Sequence, residues 1–258
     1  MEFVNKNKLN NISLSKYNFS VLSDFDRTLT AGGSKNIWRV IYSSNLLRDS
    51  FRKAYDEIHD KFPNEGESVE IKQQNYINRF REYFKLLETH NLSEQIIKES
   101  VKQTDIKLRN GASGFLNKMY ENNIPVVIIS CGLKNIIIEY LKHNNIYFDN
   151  IYVHANYMDL NGVEKNNIYD VTPYNKDSVK LPLEIANKVK DKKYKLLFGD
   201  ILNDIKMVQL EELEATITTG FLDKDIESNL DKYKEQFDIV LTDRASFDQI
   251  EEILSFNF

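Results

Sequence analysis

Six short apolar runs, separated by helix-like stretches, constrain the fold of this chain more than any other feature. They are Phe19–Ser23 (FSVLS), Pro125–Ser130 (PVVIIS), Asn150–Ala155 (NIYVHA), Tyr194–Gly199 (YKLLFG), Ala215–Gly220 (ATITTG) and Phe237–Thr242 (FDIVLT). None exceeds six residues and none alternates strictly, which suits strands covered on both faces of a parallel sheet. Helical patterns fill the intervals, at 113–123, 133–145, 177–191, 203–213, 225–236 and 246–256. Strand alternating with helix predicts an α/β fold with a doubly wound, mostly parallel sheet.

One region breaks the rhythm. From about Gly33 to Lys107 there is no strand pattern, only amphipathic helices such as NYINRFREYFKLLETHNL and SEQIIKESVKQ. The expected organisation is a catalytic core from residues 1–32 and 108–258, with an inserted helical cap at 33–107. A second insertion, between Asn156 and Lys176, carries an Asn161–Gly162 turn signal and reads as a hairpin.

Ligands of open α/β sheets bind beyond the carboxyl ends of the strands, so the polar residues there are the candidates for chemistry. The first run ends in Asp24, Asp26 and Thr28, the second in Ser130, Cys131 and Gly132, and the fourth in Asp200 and Asp204. Lys176 is expected at the start of the helix leading into that fourth strand. Four aspartates brought together repel one another and call for a cation. An all-oxygen donor set suits Mg²⁺ better than zinc, and His59, His90, His143 and His154 lack metal-ligand spacing. A hard cation beside a lysine and a serine is a site for phosphate. One carboxylate can attack phosphorus while another, two residues along an extended backbone and facing the same ligand, handles the proton.

The ordered segments DFDRTLT, IISCG, NK and GDILND, spanning Asp24 to Asp204, resemble the four signature motifs of the haloacid dehalogenase-like (HAD) phosphatase superfamily. The resemblance implies Asp24 as nucleophile, Asp26 as acid and then base, and Ser130 with the Gly132 amide on the phosphoryl oxygens. Lys176 then neutralises charge and Thr28 joins the substrate-binding set. Mg²⁺ is implied on Asp24, the Asp26 carbonyl and Asp200, with Asp204 holding a bound water. Longer stretches, 123–163 and 218–243 together with YNKDS, are similar to the cytosolic pyrimidine 5'-nucleotidase (UMPH-1-type) family, and Glu82–Phe84 resembles its glutamate-plus-two-aromatics segment. That implies a nucleoside monophosphate as substrate. Two departures stand out: Arg27 follows Asp26 where a neutral residue is expected, and the position at which the family reads the base with an acidic residue falls near His59, with Asp56, Glu57 and Asp60 close by.

Alternatives in the same scaffold are a phosphatase for phosphoserine or another small phosphometabolite, a phosphotransferase, and a non-catalytic phosphometabolite-binding protein. The net charge of -5 and the lack of a basic run argue against nucleic acid. The single cysteine, Cys131, excludes an intramolecular disulfide and reads as a small strand-end residue. No apolar run is long enough for a signal peptide or a membrane span, so a soluble cytoplasmic protein is expected. Trp38, Tyr42, Phe51 and Tyr55 are expected mainly in the core of the cap, with one available to stack on a substrate ring.

Overall fold

The computed structural model describes residues 2–63, 68–161, 167–168, 171–177, 180–254 and 256. Its centre is a seven-stranded sheet in the order β1-β7-β6-β5-β2-β3-β4, with β1 (Glu2–Val4), β2 (Phe19–Ser23), β3 (Val126–Leu133), β4 (Ile151–Asn156), β5 (Tyr194–Gly199), β6 (Thr216–Leu222) and β7 (Ile239–Thr242). All six expected strands are present and mutually parallel. The seventh, β1, adds antiparallel to β7 with Glu2 opposite Leu241 and Val4 opposite Ile239. This edge strand was not anticipated: its three residues carry too little apolar pattern to signal a strand.

Successive β3 side chains divide between the two faces. Val126 and Ile128 join Phe19, Val21 and Phe198 in one core, while Val127 and Ile129 join Leu22, Leu197 and Val240 in the other. The first core is covered by α6 (Ala112–Glu121), α7 (Lys134–His143) and α10 (Phe247–Leu254), the second by α8 (Leu183–Val189) and α9 (Ile226–Gln236). Burial on both faces explains why these strands read as continuous apolar runs. A short helix α1 (Lys6–Asn11) follows β1.

Between Gly33 and Lys107 the described residues form α2 (Arg39–Ser43), α3 (Asp49–Lys61), α4 (Val69–Thr89) and α5 (Glu94–Lys102), and no strand. Ser68 and Ser93 cap α4 and α5 by accepting from the amides of Ile71 and Ile96. The chain leaves and re-enters the sheet at one point, where Thr30 bridges Leu108 and the Ala31 amide donates to the Lys107 carbonyl at 2.8 Å.

Two helix expectations need correction. The stretch 177–191 is helical only from Leu183, because Pro182 disfavours helical geometry before it and fits just outside the first turn. Lys176 therefore sits in a turn, well before α8, and not at a helix start. The stretch 203–213 is two 3₁₀ segments, Leu202–Met207 and Leu210–Ala215, divided by extended Val208 and Gln209. There the Asp204 carboxylate accepts from the Asp200 and Ile201 amides and draws the chain into a tight turn. In the second insertion Tyr157 and Ile168 form an antiparallel bridge, while Gly162 of the anticipated turn lies outside the described residues.

Candidate active site

The central strand β2 has β5 on one side and β3 on the other, so the chain order reverses around it and opens a crevice at its carboxyl end. A cavity of about 230 Å³ lies there, with Asp24, Asp26, Arg27, Ser130, Cys131, Lys176 and Asp200 on the sheet side. The structure thus gathers residues from the ends of three strands and one loop, as the motif order requires.

Asp24 is buried, and its Oδ1 accepts from Lys176 Nζ at 2.7 Å. The same ammonium reaches Asp204 Oδ1 at 2.7 Å, and neither Lys176 nor Asp204 is appreciably exposed. Burial disfavours the ammonium, yet Asp204 and Asp24 together hold the Lys176 pKa well above its ordinary value. The carboxylates show the reverse strain. Burial pushes Asp24 up to about 6 despite the pull of Lys176. Asp26 rises to about 7, first through burial and then through repulsion from Asp24. Asp200 is also raised well above the ordinary range by burial and by both neighbouring aspartates.

Asp26 has a fixed orientation: its Oδ1 accepts from the Ile37 amide at 2.8 Å. That donor belongs to the segment entering the helical insertion, so the insertion helps to aim the second carboxylate. Arg27 adopts a left-handed φ of 61°, uncommon for a residue with a side chain. Thr30 Oγ1 holds its amide at 2.7 Å and Arg109 holds its carbonyl. The strained turn sends the Arg27 side chain to the cavity, with Nε 3.6 Å from Asp200 Oδ2.

Three expected site residues lie behind the cavity. Thr28 is fully buried, with its hydroxyl 3.5 Å from Asp24 Oδ2. The Gly132 amide donates to Ser130 Oγ at 3.0 Å, so it orients the serine and is not directed at a ligand. A side chain at Gly132 would bring its Cβ to 2.4 Å from Ile37 Cγ2, which explains the glycine. Asp204 supports Lys176 and the turn after β5.

A metal fits the donor set. Asp24, Asp200 and Asp204 present carboxylate oxygens within 4.8 Å of one another, and two of the three are buried. Buried carboxylates this close are held neutral or need positive charge beyond one lysine. Oxygen-only donors suit a hard divalent cation.

The opposite wall comes from the helical insertion: Asn36, Trp38, Tyr55, His59, Tyr76, Arg79, Phe80 and Tyr83, with Pro173 and Ile201 beside it. His59 is at the cavity as anticipated; of the aromatics expected mainly in the core of the insertion, Phe51 is buried there, while Trp38 and Tyr55 are buried and also line the cavity. Trp38 also donates to the Cys131 carbonyl at 3.1 Å, tying insertion to sheet. The Cys131 thiol is pushed far up by burial, as befits a packing residue and not a nucleophile. Arg79, Tyr76 and Phe80 were missed, although Tyr76, Arg79, Phe80 and Tyr83 share one helical face by spacing. Glu82 points elsewhere, pairing with Lys85 at 3.0 Å.

The pyrimidine 5'-nucleotidase (UMPH-1) family matches residues 28–256 of the chain. A 7-methylguanosine phosphate-specific 5'-nucleotidase A of Xenopus laevis is 28% identical over 250 residues, covering 92% of this chain and 86% of the relative. Its human counterpart is 26% identical over 251 residues, covering 91% and 83%. Among solved structures, cytosolic 5'-nucleotidase IIIB bound to cytidine superposes with a TM-score of 0.80 at 22% identity, covering 96% of this chain and 89% of that one. A substrate-bound phosphoserine phosphatase gives a TM-score of 0.54 at 19% identity over 92% of this chain and 97% of the other, the same HAD-like fold.

Proposed function

The chain belongs to the pyrimidine 5'-nucleotidase (UMPH-1) family and is a 5'-nucleotidase-like phosphatase; from that premise we propose that it is a Mg²⁺-dependent phosphomonoesterase of nucleoside 5'-monophosphates, pyrimidine nucleotides first. The observation that carries this reading is the pair Asp24 and Asp26 in one cavity, with Asp26 raised to about 7 and so able to carry a proton near neutrality.

Asp24 is the nucleophile. Lys176 occupies its Oδ1 and orients the carboxylate, leaving Oδ2 to attack phosphorus. As the new P–O bond forms, the bond to the ester oxygen breaks and Asp26 delivers its proton to that oxygen. The aspartyl-phosphate is then hydrolysed by a water whose proton Asp26 takes back, restoring Asp24 and releasing phosphate. The Ser130 hydroxyl, held by the Gly132 amide, donates to a phosphoryl oxygen. Mg²⁺, carried by Asp24, Asp200 and the Asp26 carbonyl with Asp204 behind, would supply the charge that lets an anionic ester approach an anionic nucleophile. Residues 33–107 act as a cap that covers the crevice, excludes bulk water and contacts the leaving group.

We read the compartment as cytoplasmic, in line with the lone cysteine and a relative named as cytosolic. No helix among the described residues is long and apolar enough to cross a membrane. The test is phosphate release from UMP, CMP, AMP, 7-methyl-GMP, phosphoserine and an aryl phosphate, with Mg²⁺ and with EDTA. Metal-dependent turnover of nucleotides, abolished in Asp24→Asn, is expected. Turnover of phosphoserine in preference to every nucleotide would overturn the substrate assignment.

A further inference from the structure

The three carboxylates able to hold a metal are already divided between two cations. Lys176 Nζ takes Asp24 and Asp204, each at 2.7 Å. Asp200 is left to Arg27, whose Nε lies 3.6 Å from its Oδ2 and which is its sole ion-pair partner among the described residues. The two cations differ in freedom. The Lys176 side chain is 2% exposed and locked between its partners, whereas that of Arg27 is 39% exposed and lines the cavity. Arg27 Nε is buried yet donates no hydrogen bond, so its contact with Asp200 is ionic and not a tight hydrogen-bonded lock.

The backbone of Arg27 is fixed while its side chain is not. Thr30 Oγ1 holds the amide and Arg109 the carbonyl, which secures the left-handed turn that sends the side chain to the cavity. A divalent cation on Asp24 and Asp200 draws on the same carboxylate as the guanidinium, and positive charges sharing one carboxylate repel. Arginine cannot relieve this by losing its proton. It can do so only by turning its head group out to solvent, which its exposure allows. The position where a neutral residue is expected thus carries the removable cation of the cluster.

Resting on the Mg²⁺ dependence in the reading above, we propose that Arg27 is a built-in counter-cation: it pairs with Asp200 before the metal binds, competes with the metal for that carboxylate, and swings out as the metal enters. Arg27 therefore weakens Mg²⁺ binding and stabilises the metal-free fold, by compensating the carboxylate that Lys176 does not take. It sets how tightly the enzyme holds its metal and touches no reacting atom. A half-exposed ion pair exchanged for a solvated arginine is worth roughly three- to tenfold in such a competition.

The experiment titrates Mg²⁺ alone, by calorimetry, into the metal-stripped full chain of the wild type, Arg27→Met and Arg27→Lys, and measures Tm with EDTA and with saturating Mg²⁺. Both variants keep a Cβ at the same left-handed position, so backbone strain is unchanged. Arg27→Met is expected to bind Mg²⁺ roughly three- to tenfold more tightly, with a lower Tm in EDTA and a wild-type Tm in Mg²⁺. Arg27→Lys keeps the charge and should stay near the wild type. Equal or weaker Mg²⁺ binding by Arg27→Met would overturn the proposal. So would a fall of the same size in both Tm values, the mark of a merely structural residue. Absence of Mg²⁺ binding in the wild type and both variants would remove the metal-dependent reading itself, and the proposal with it.

Discussion

Replacing Arg109 should damage stability and catalysis together, though it touches no reacting atom. The side chain is 2% exposed and lies where the strands linking sheet and insertion meet. Its Nε donates to the Thr28 carbonyl at 2.9 Å, Nη1 to the Ala245 carbonyl at 2.9 Å, and Nη2 to Asp223 Oδ2 at 2.7 Å and to the Arg27 carbonyl. The guanidinium also covers the Phe221 ring at 4.0 Å. Arg109→Met removes every one of these donors and leaves the Asp223 carboxylate, only 9% exposed, without its cationic partner and with the Arg244 amide alone on Oδ1. Breaking one side of such a pair costs about 3–5 kcal/mol. For a chain of this size that corresponds to a fall in Tm of roughly 6–20 °C. Arg109→Lys keeps the charge with fewer donors and should fall between. Because two of the gripped carbonyls belong to Arg27 and Thr28, directly after Asp26, kcat should drop by about tenfold while KM moves less. Thermal unfolding followed by circular dichroism, with steady-state kinetics well below the transition, measures both. An Arg109→Met protein whose Tm falls by less than about 2 °C would refute the reasoning, since the buried contacts would then carry almost nothing.

The carboxylate shifts give a pH prediction whose sign is fixed. Asp24 and Asp26 have ordinary values of 3.8 and folded values of about 6 and about 7, so the fold favours their neutral forms. Their contribution to stability is complete below the ordinary value and is lost as pH rises through the folded ones. EDTA-treated protein should therefore lose Tm between pH 4 and pH 8, and Mg²⁺ should restore more at pH 8 than at pH 5; a Mg²⁺ effect larger at pH 5 would contradict it. Tyr233 donates to the Asp200 carbonyl at 2.6 Å, so Tyr233→Phe should weaken Mg²⁺ binding several-fold, about 1 kcal/mol, in a metal titration of initial rate. Gly132→Ala should reduce kcat sharply, because its methyl group collides with Ile37 and displaces Ser130; unchanged kinetics would show that the serine position is not critical.

Much of this was legible in the sequence for a physical reason. Strands covered on both faces leave dense apolar runs, and β2 and β5 were bounded to the residue. The carboxylates at their ends conflict with strand propensity and so announce themselves. The parts that were not legible depend on contacts distant in sequence. β1 is a strand only because β7 offers it an edge, and no local pattern encodes that. Thr28 and Gly132 look like ligand-binding residues by position, yet their hydrogen bonds turn inward to Asp24 and Ser130. Arg79 reads as one more charge on an amphipathic helix, and only the placement of α4 against the crevice brings it to the cavity.

The two walls of the cavity solve opposite electrostatic problems. On the sheet side, Asp24, Asp26, Asp200 and Asp204 gather around Lys176 and Arg27, and burial raises the pKa of Asp24, Asp26 and Asp200. A phosphate ester brings further negative charge into that setting and would be rejected by the ionised cluster, so a cation has to enter with it or before it. On the insertion side, Arg79 lines the same cavity. Asp26 stands at the boundary, fixed by the Ile37 amide of the insertion and repelled by Asp24 of the sheet.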